Sequence, residues 1–199
     1  GRYLAVVHRL TMSTESLGKG LVILDRDGVI NHDSAAFIKN EDEWRPLPGS
    51  LEAIAALTSA GFTLAVASNQ SGIARGLFGQ DALDAMHAKM LSLVHEAGGH
   101  ISRIVICPHG PDDDCDCRKP KPGMLEQLAR HFDTSLAGVP VIGDALRDLE
   151  AAAAVGARPM LVRSGKGRKT EAELPARLAN VPVYDDLAAA ARALIDEAT

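Results

Sequence analysis

The chain has 199 residues, enough for one α/β domain with a full core and too few for two large ones. Its 26 acidic side chains outnumber 21 Lys and Arg, for a net charge of -5, which argues against a surface built overall for nucleic acid but leaves room for a local pocket that takes a small anion. The three cysteines, an odd number all within Cys107–Cys117, do not make a disulfide framework, and no apolar run reaches membrane-spanning length.

Residues 1–20 hold one short apolar stretch, Leu4–Val7, without the hydrophobic region of a secretory signal. They are expected to form a loosely ordered extension of a cytoplasmic protein, with the domain proper at 21–199. From there short aliphatic runs alternate with helical patterns. Leu21–Leu24 predicts a strand ending at Asp25, followed by a helix over Gly49–Ala60. Thr63–Ala67 predicts a strand ending at Ser68, then a helix over Gln80–Ala97. Ile104–Ile106 ends at Cys107, and a helix follows over Gly123–His131. Val139–Ile142 ends at Gly143–Asp144, before a helix over Leu146–Val155. Met160–Val162 is a fifth strand, Val181–Tyr184 a sixth, and Asp186–Ala198 a last helix. Gly165–Lys169 is basic and glycine-rich but lacks P-loop spacing, and reads as a solvated loop.

Runs this short and β-branched suit strands buried on both faces of a parallel sheet. Their alternation with helices predicts a doubly wound, Rossmann-like α/β fold. In such sheets ligands bind at the carboxyl ends of the strands. That edge collects Asp25, Asp27, Ser68, Asn69, Cys107, His109 and Asp144.

The run Asp25-Arg26-Asp27-Gly28 places two carboxylates at i and i+2 as the chain leaves the first strand, with Gly28 allowing a tight departure. Phosphoryl transfer to a carboxylate needs a nucleophile, a proton donor for the leaving alkoxide and a cation to offset charge repulsion. One Asp suits the first role and the second Asp the proton. Mg²⁺ takes hard oxygen ligands, and Asp144 is a natural further one. Taken alone, Asp-x-Asp-Gly is more often a turn or helix cap. It gains specificity because Ser68-Asn69, Lys119-Pro120 and Gly143-Asp144 follow in order.

A second cluster joins Cys107, His109, Cys115 and Cys117. Three thiols and an imidazole at this density suit a closed, tetrahedral, structural Zn²⁺ site. A Cys115–Cys117 disulfide would close a very small strained loop. The cluster runs directly into Arg118-Lys119, so zinc is expected to stiffen the entry of Lys119 into the site rather than to do chemistry.

The four motifs resemble those of the haloacid dehalogenase (HAD) superfamily of phosphatases. By that resemblance Asp25 is the nucleophile and Asp27 the general acid and base. Ser68 and Lys119 hold the phosphoryl group, Asp144 binds Mg²⁺ together with Asp25 and the Asp27 carbonyl, and Asp148 positions its neighbours. Only about forty residues separate the first two motifs, which leaves no room for a large cap domain. The stretches DRDGVIN, SNQSGIARG, CPHGPDDDCDCRKPKPGM and VIGDALRD are similar to the branch that acts on heptose bisphosphates, with histidinol-phosphate phosphatases of the same branch as the alternative. A phosphosugar-binding protein without catalysis is a further alternative, against which Asp25 and Asp27 are intact. The resemblance implies that Asp33, Phe37, Ser68, Asn69, Gln70, Arg118 and Lys119 contact substrate. It leaves Arg75 as either a ligand or a surface residue. It implies a small phosphosugar partner, no nucleic acid or membrane, and a monomer. The chain departs from the family pattern at Ala145, where a lysine often stands; Arg147 and Lys121 are the residues able to supply that charge.

Overall fold

The structure, a computed structural model, describes residues 16–199. Most of the expected N-terminal extension, residues 1–15, lies outside the described residues. The part that is described is tied to the sheet: the Lys19 amide donates to the Gly61 carbonyl at 2.8 Å, and Thr63 Oγ1 donates to the Leu17 carbonyl.

Six parallel strands form one sheet: β1 (Gly20–Leu24), β2 (Phe62–Asn69), β3 (Arg103–Cys107), β4 (Pro140–Gly143), β5 (Arg158–Val162) and β6 (Val183–Tyr184), in the order β3-β2-β1-β4-β5-β6. All six predicted strands are present. The last is shorter than its sequence run, because Pro182 has no amide to give a ladder. The order reverses direction between β1 and β4. This is the topological switch point at which doubly wound sheets open a crevice for ligand.

Alternation along β1 shows how the core is divided. Val22 and Leu24 face the cluster shared with α1 (Ser50–Ser59), α2 (Gln80–Glu96) and α6 (Leu187–Ala198). Leu21 and Ile23 face the cluster shared with α3 (Gly123–Phe132) and α4 (Leu146–Ala154). A strand with both faces buried must be apolar at consecutive positions, which is why these runs do not alternate with polar residues. The Ala151-Ala152 pair lets α4 sit close against the sheet. Asp186 caps α6 through its side chain, which accepts from the Ala189 amide at 2.9 Å.

One α-helix was not read from sequence. Gly167–Ala172 forms a short helix, α5, in the segment expected to be a solvated loop. Four polar residues between a glycine and an alanine carry no apolar periodicity, so nothing marks them as helical. Among the described residues no helix is long and apolar enough to cross a membrane.

Candidate active site

The site is assembled at the switch point. Asp25 is the first residue beyond β1, and its amide donates to the Ile142 carbonyl of β4 at 2.9 Å. Asp144 is the first residue beyond β4. The two strand ends lie side by side, so carboxylates far apart in sequence share one cavity.

Lys119 stands among them, 5% exposed. Its ammonium has three protons and three acceptors: Asp148 Oδ1 at 2.7 Å, the Ala67 carbonyl at 2.8 Å and Asp25 Oδ1 at 3.2 Å. Burial on its own would lower the Lys119 pKa, but Asp148 and then Asp25 outweigh it and raise it. Asp148 is spent on support: one oxygen takes Lys119 and the other accepts from the Ala145 amide at 3.0 Å.

Carboxylate oxygens of Asp25, Asp144 and Asp148 all lie within 4.8 Å of one another. The crowding shows in their proton affinities. Burial first, then the charge of Asp148, pushes Asp25 up to about 6. Burial, then Asp25 and Asp148, pushes Asp144 up to about 8. One lysine does not balance this much negative charge. The free oxygens are hard, buried and convergent, so the residues fit a divalent cation of the Mg²⁺ kind. With Asp148 committed to Lys119, Asp25 and Asp144 are the side chains left to hold it.

The Asp27 side chain points elsewhere. Oδ1 accepts from Arg26 Nε and Asn31 Nδ2, each at 2.9 Å, and Oδ2 from Gln70 Nε2 at 3.3 Å. Burial would raise its pKa, but the Arg26 charge and these hydrogen bonds together lower it. Arg26 is fully buried and is held in turn by His87 Nε2 at 3.2 Å. Gly28 allows the turn its shape. It sits at φ 86°, and a β-carbon there would come within 2.0 Å of Asp144 Oδ2.

The remaining predicted residues fall on two sides of this centre. Ser68 ends up 1% exposed, with its hydroxyl accepting from Gln70 Nε2 at 2.8 Å. Gln70 therefore joins Ser68 to Asp27. The Asn69 side-chain carbonyl accepts the Lys119 amide at 3.0 Å while its NH₂ donates to the Lys119 carbonyl at 3.2 Å. It sets the backbone from which Lys119 projects. Phe37 has φ 67° and lies under the Arg75 guanidinium, 5.4 Å from the ring centre. Arg118 Nη1 donates to the His109 carbonyl at 3.2 Å. Burial, then the charges of Arg147 and Arg75, lowers the Arg118 pKa. Arg147 also acts on Asp25 and Asp148, whereas Lys121 is turned to the Cys115 carbonyl at 2.6 Å. The Arg147 charge thus reaches the carboxylates of the site, while Lys121 is engaged elsewhere.

Cys107, His109, Cys115 and Cys117 converge as the spacing implies, with ligand atoms within 4.8 Å of one another. Cys107 Sγ lies 3.5 Å from His109 Nδ1 and 3.9 Å from Cys115 Sγ, and His109 Nδ1 lies 3.4 Å from Cys117 Sγ. Bonds of about 2.3 Å to a tetrahedral zinc put sulfurs a little under ~4 Å apart. The Cys107–Cys115 separation matches this, the Cys107–Cys117 separation of 2.9 Å is shorter, and the four convergent donors together are compatible with that ion. Burial, then the Cys107 sulfur, pushes the Cys117 thiol up to about 12, as expected of crowded neutral thiols.

Two groups of residues escaped sequence reasoning. Arg26 and Asn31 stood inside the DRDGVIN run without a role. Ser164–Thr170 follows β5 and includes the Gly165–Lys169 stretch that reads from sequence as a solvated loop. Applying the strand-end rule to β5 as well would have found it.

A sheet of this order, with its strand-end carboxylates gathered around a buried lysine, defines a HAD-class hydrolase. Family profiles agree: one described as "Polynucleotide kinase 3 phosphatase" matches residues 21–148 and one described as "HAD-hyrolase-like" matches residues 116–190. The D-glycero-beta-D-manno-heptose-1,7-bisphosphate 7-phosphatase of Pseudomonas putida is 58% identical over 176 residues, covering 88% of this chain and 99% of that relative. Its namesake from Bordetella bronchiseptica is 56% identical over 180 residues, covering 89% and 99%. The crystal structure of D,D-heptose 1.7-bisphosphate phosphatase from B. bronchiseptica, complexed with magnesium and phosphate, has a TM-score of 0.86 at 55% identity and covers 89% of this chain and 99% of that one. The chain belongs to the family of heptose-1,7-bisphosphate 7-phosphatases within the HAD superfamily. The histidinol-phosphate alternative finds no support among these relatives.

Proposed function

We propose that this chain removes the 7-phosphate of D-glycero-β-D-manno-heptose 1,7-bisphosphate, by way of an aspartyl-phosphate on Asp25. The observation that carries the chemistry is the buried Asp25 carboxylate beside the fully satisfied Lys119 ammonium. The substrate rests on the relatives, whose names carry that sugar and the β anomer. Asp25 attacks phosphorus, and Asp27, which its donors hold as a carboxylate in the empty site, takes up a proton as the anionic substrate binds and gives it to the departing sugar alkoxide. The donors from Arg26, Asn31 and Gln70 stabilise the carboxylate then left on Asp27. That carboxylate takes a proton from the water that cleaves the acyl-phosphate. Ser68 and Lys119 hold the phosphoryl oxygens. Asp25, Asp144 and the Asp27 carbonyl would hold Mg²⁺, which would supply the positive charge that lets a carboxylate approach a phosphate.

Arg118, crowded by Arg147 and Arg75, supports an anion-binding subsite for the second phosphate. We further assign Zn²⁺ to Cys107, His109, Cys115 and Cys117, as a stiffener of the segment leading into Arg118 and Lys119. The free thiols suit a reducing compartment, and we assign the enzyme to the cytoplasm. Leu77 and Leu91 are the exposed large apolar side chains among the described residues; two scattered leucines make no patch for a partner subunit, and we assign a monomer.

The test is phosphate release with Mg²⁺ on both heptose bisphosphate anomers, histidinol phosphate and a 3′-phosphorylated oligonucleotide. The β heptose bisphosphate is expected to be turned over best, and Asp25→Asn to abolish release while circular dichroism stays unchanged. A preference for histidinol phosphate or the oligonucleotide overturns the substrate assignment. Turnover by Asp25→Asn overturns the mechanism.

A further inference from the structure

The segment between β5 and α5 takes no part in the chemistry above, yet it touches the cation site from several directions. The Lys166 amide donates to Asp144 Oδ2 at 2.8 Å. Thr170 Oγ1, in α5, donates to the Asp144 main-chain carbonyl at 2.7 Å. Ser164 Oγ donates to the Gly28 carbonyl at 2.7 Å, in the turn that carries the Asp27 carbonyl. Gly165, at φ 57°, is wedged between the two: a β-carbon there would lie 2.3 Å from Asp144 Oδ2 and 2.5 Å from Gly28 Cα. Thr170 is buried. The Lys166 side chain leaves in the other direction, and its ammonium pairs with Asp33 Oδ2 at 2.8 Å.

A carboxylate that ligates a metal is oriented by the hydrogen bonds on its remaining oxygen, and loss of such a bond typically costs 10- to 100-fold in metal affinity. The Lys166 amide occupies Oδ2 of Asp144 and so leaves Oδ1 as the oxygen free for a cation. Thr170 fixes the backbone from which Asp144 projects. Ser164 fixes the neighbouring turn of the first motif. The contacts come from one short, continuous stretch of chain, so the two protein arms of the cation site are held by a single strap.

We propose that Ser164–Thr170 positions the cation site, and that Lys166 is its pivot: its amide orients Asp144 while its ammonium orients Asp33. These are positioning residues, since none has to touch the reacting atoms. The inference rests on the reading of Asp144 as a cation ligand. It goes beyond that reading by assigning a job to a segment that the reaction itself does not use, and by joining the cation site to the loop that carries Asp33.

The experiment measures Mg²⁺ affinity of the full chain by calorimetry, with no substrate present, beside steady-state kinetics on the heptose bisphosphate. Thr170→Val and Gly165→Ala are expected to weaken Mg²⁺ binding about 10-fold or more, and Thr170→Ser to restore it. Lys166→Met keeps the amide and is expected to keep the wild-type Mg²⁺ affinity while KM for the sugar rises more than kcat falls. Should Gly165→Ala fail to fold by circular dichroism, Thr170→Val and Ser164→Ala carry the same test. Asp144→Asn separates the two levels. If it loses Mg²⁺ while Thr170→Val, Ser164→Ala and Gly165→Ala bind like wild type, the strap is refuted and the cation reading stands. If Asp144→Asn binds Mg²⁺ like wild type, the cation reading falls and the strap falls with it. If Lys166→Met loses as much Mg²⁺ affinity as Thr170→Val, the division between amide and ammonium is refuted.

Discussion

Replacing Lys119 by Met tests whether the lysine holds the centre together by charge. The ammonium is 5% exposed and its partner Asp148 is 1% exposed, so neither is screened by water as a surface pair would be. Methionine fills a similar volume but abandons two carboxylates and the Ala67 carbonyl. Breaking a buried pair by removing one partner costs roughly 3–5 kcal/mol, a large share of the total of about 5–15 kcal/mol that holds a domain folded. Lys119→Met/Asp148→Asn removes one of the two orphaned charges along with its partner and should recover about 1–3 kcal/mol of the loss. The cost should also depend on pH. Asp25 has a folded pKa of about 6, above its ordinary 3.8, so the native state binds the proton more tightly than the unfolded chain does. Its ionisation therefore weakens the fold as pH rises through that range, and loss of Lys119 aggravates this. The single variant should lose less stability at about pH 5 than at about pH 8. The assay is urea denaturation followed by circular dichroism in EDTA, with wild type and both variants at each pH. A single variant that loses less than about 1 kcal/mol, or a double variant that is simply additive, would refute the charge-balance argument.

Two further outcomes follow from the geometry. The His87 pKa is lowered to about 4 by burial and then by Arg26, and its Nε2 must accept from the guanidinium, which only donates. Below the ordinary 6.5 the unfolded chain takes up a proton that the folded chain refuses, so stability should fall as pH drops from about 6.5 to about 4. At about 1.4 kcal/mol per pKa unit the upper bound is roughly 3 kcal/mol, reduced by partial exposure of the ring. Acid titration of stability in His87→Gln should be flatter over that window; an unchanged slope would contradict the assignment. In the cysteine loop, Cys115→Ser and Cys117→Ser should each lower bound zinc by metal analysis and reduce turnover, because the loop leads directly into Arg118 and Lys119. Full activity in zinc-free protein would show that the cluster does not support the site.

Much of the site was legible because its chemistry sits at a place that pattern alone can locate. A buried parallel strand is a run of aliphatic residues, and the first polar residue after it lies at the ligand-binding edge. Asp25, Ser68, Cys107 and Asp144 were found in this way, and the convergent Cys and His donors by donor type and density. Position at an edge, however, does not say which way a side chain turns. Asn69 was expected to contact substrate, and its side chain also clasps the Lys119 backbone. Asp148 could have been a third cation ligand, but both its oxygens are taken by Lys119 and the Ala145 amide.

The sequence by itself determined the strands, their carboxyl-end residues and the presence of two ligand clusters, since these depend on short-range periodicity and residue type. Only the tertiary structure decided the rest. It brought β1 and β4 together at the switch point, turned Arg26 inward to hold Asp27, and laid Ser164–Thr170 against Asp144 and Gly28. Those contacts join residues up to more than a hundred positions apart and use main-chain amides and carbonyls. Every residue type but proline offers an amide and all offer a carbonyl, so no pattern of side chains announces which of them the fold will use.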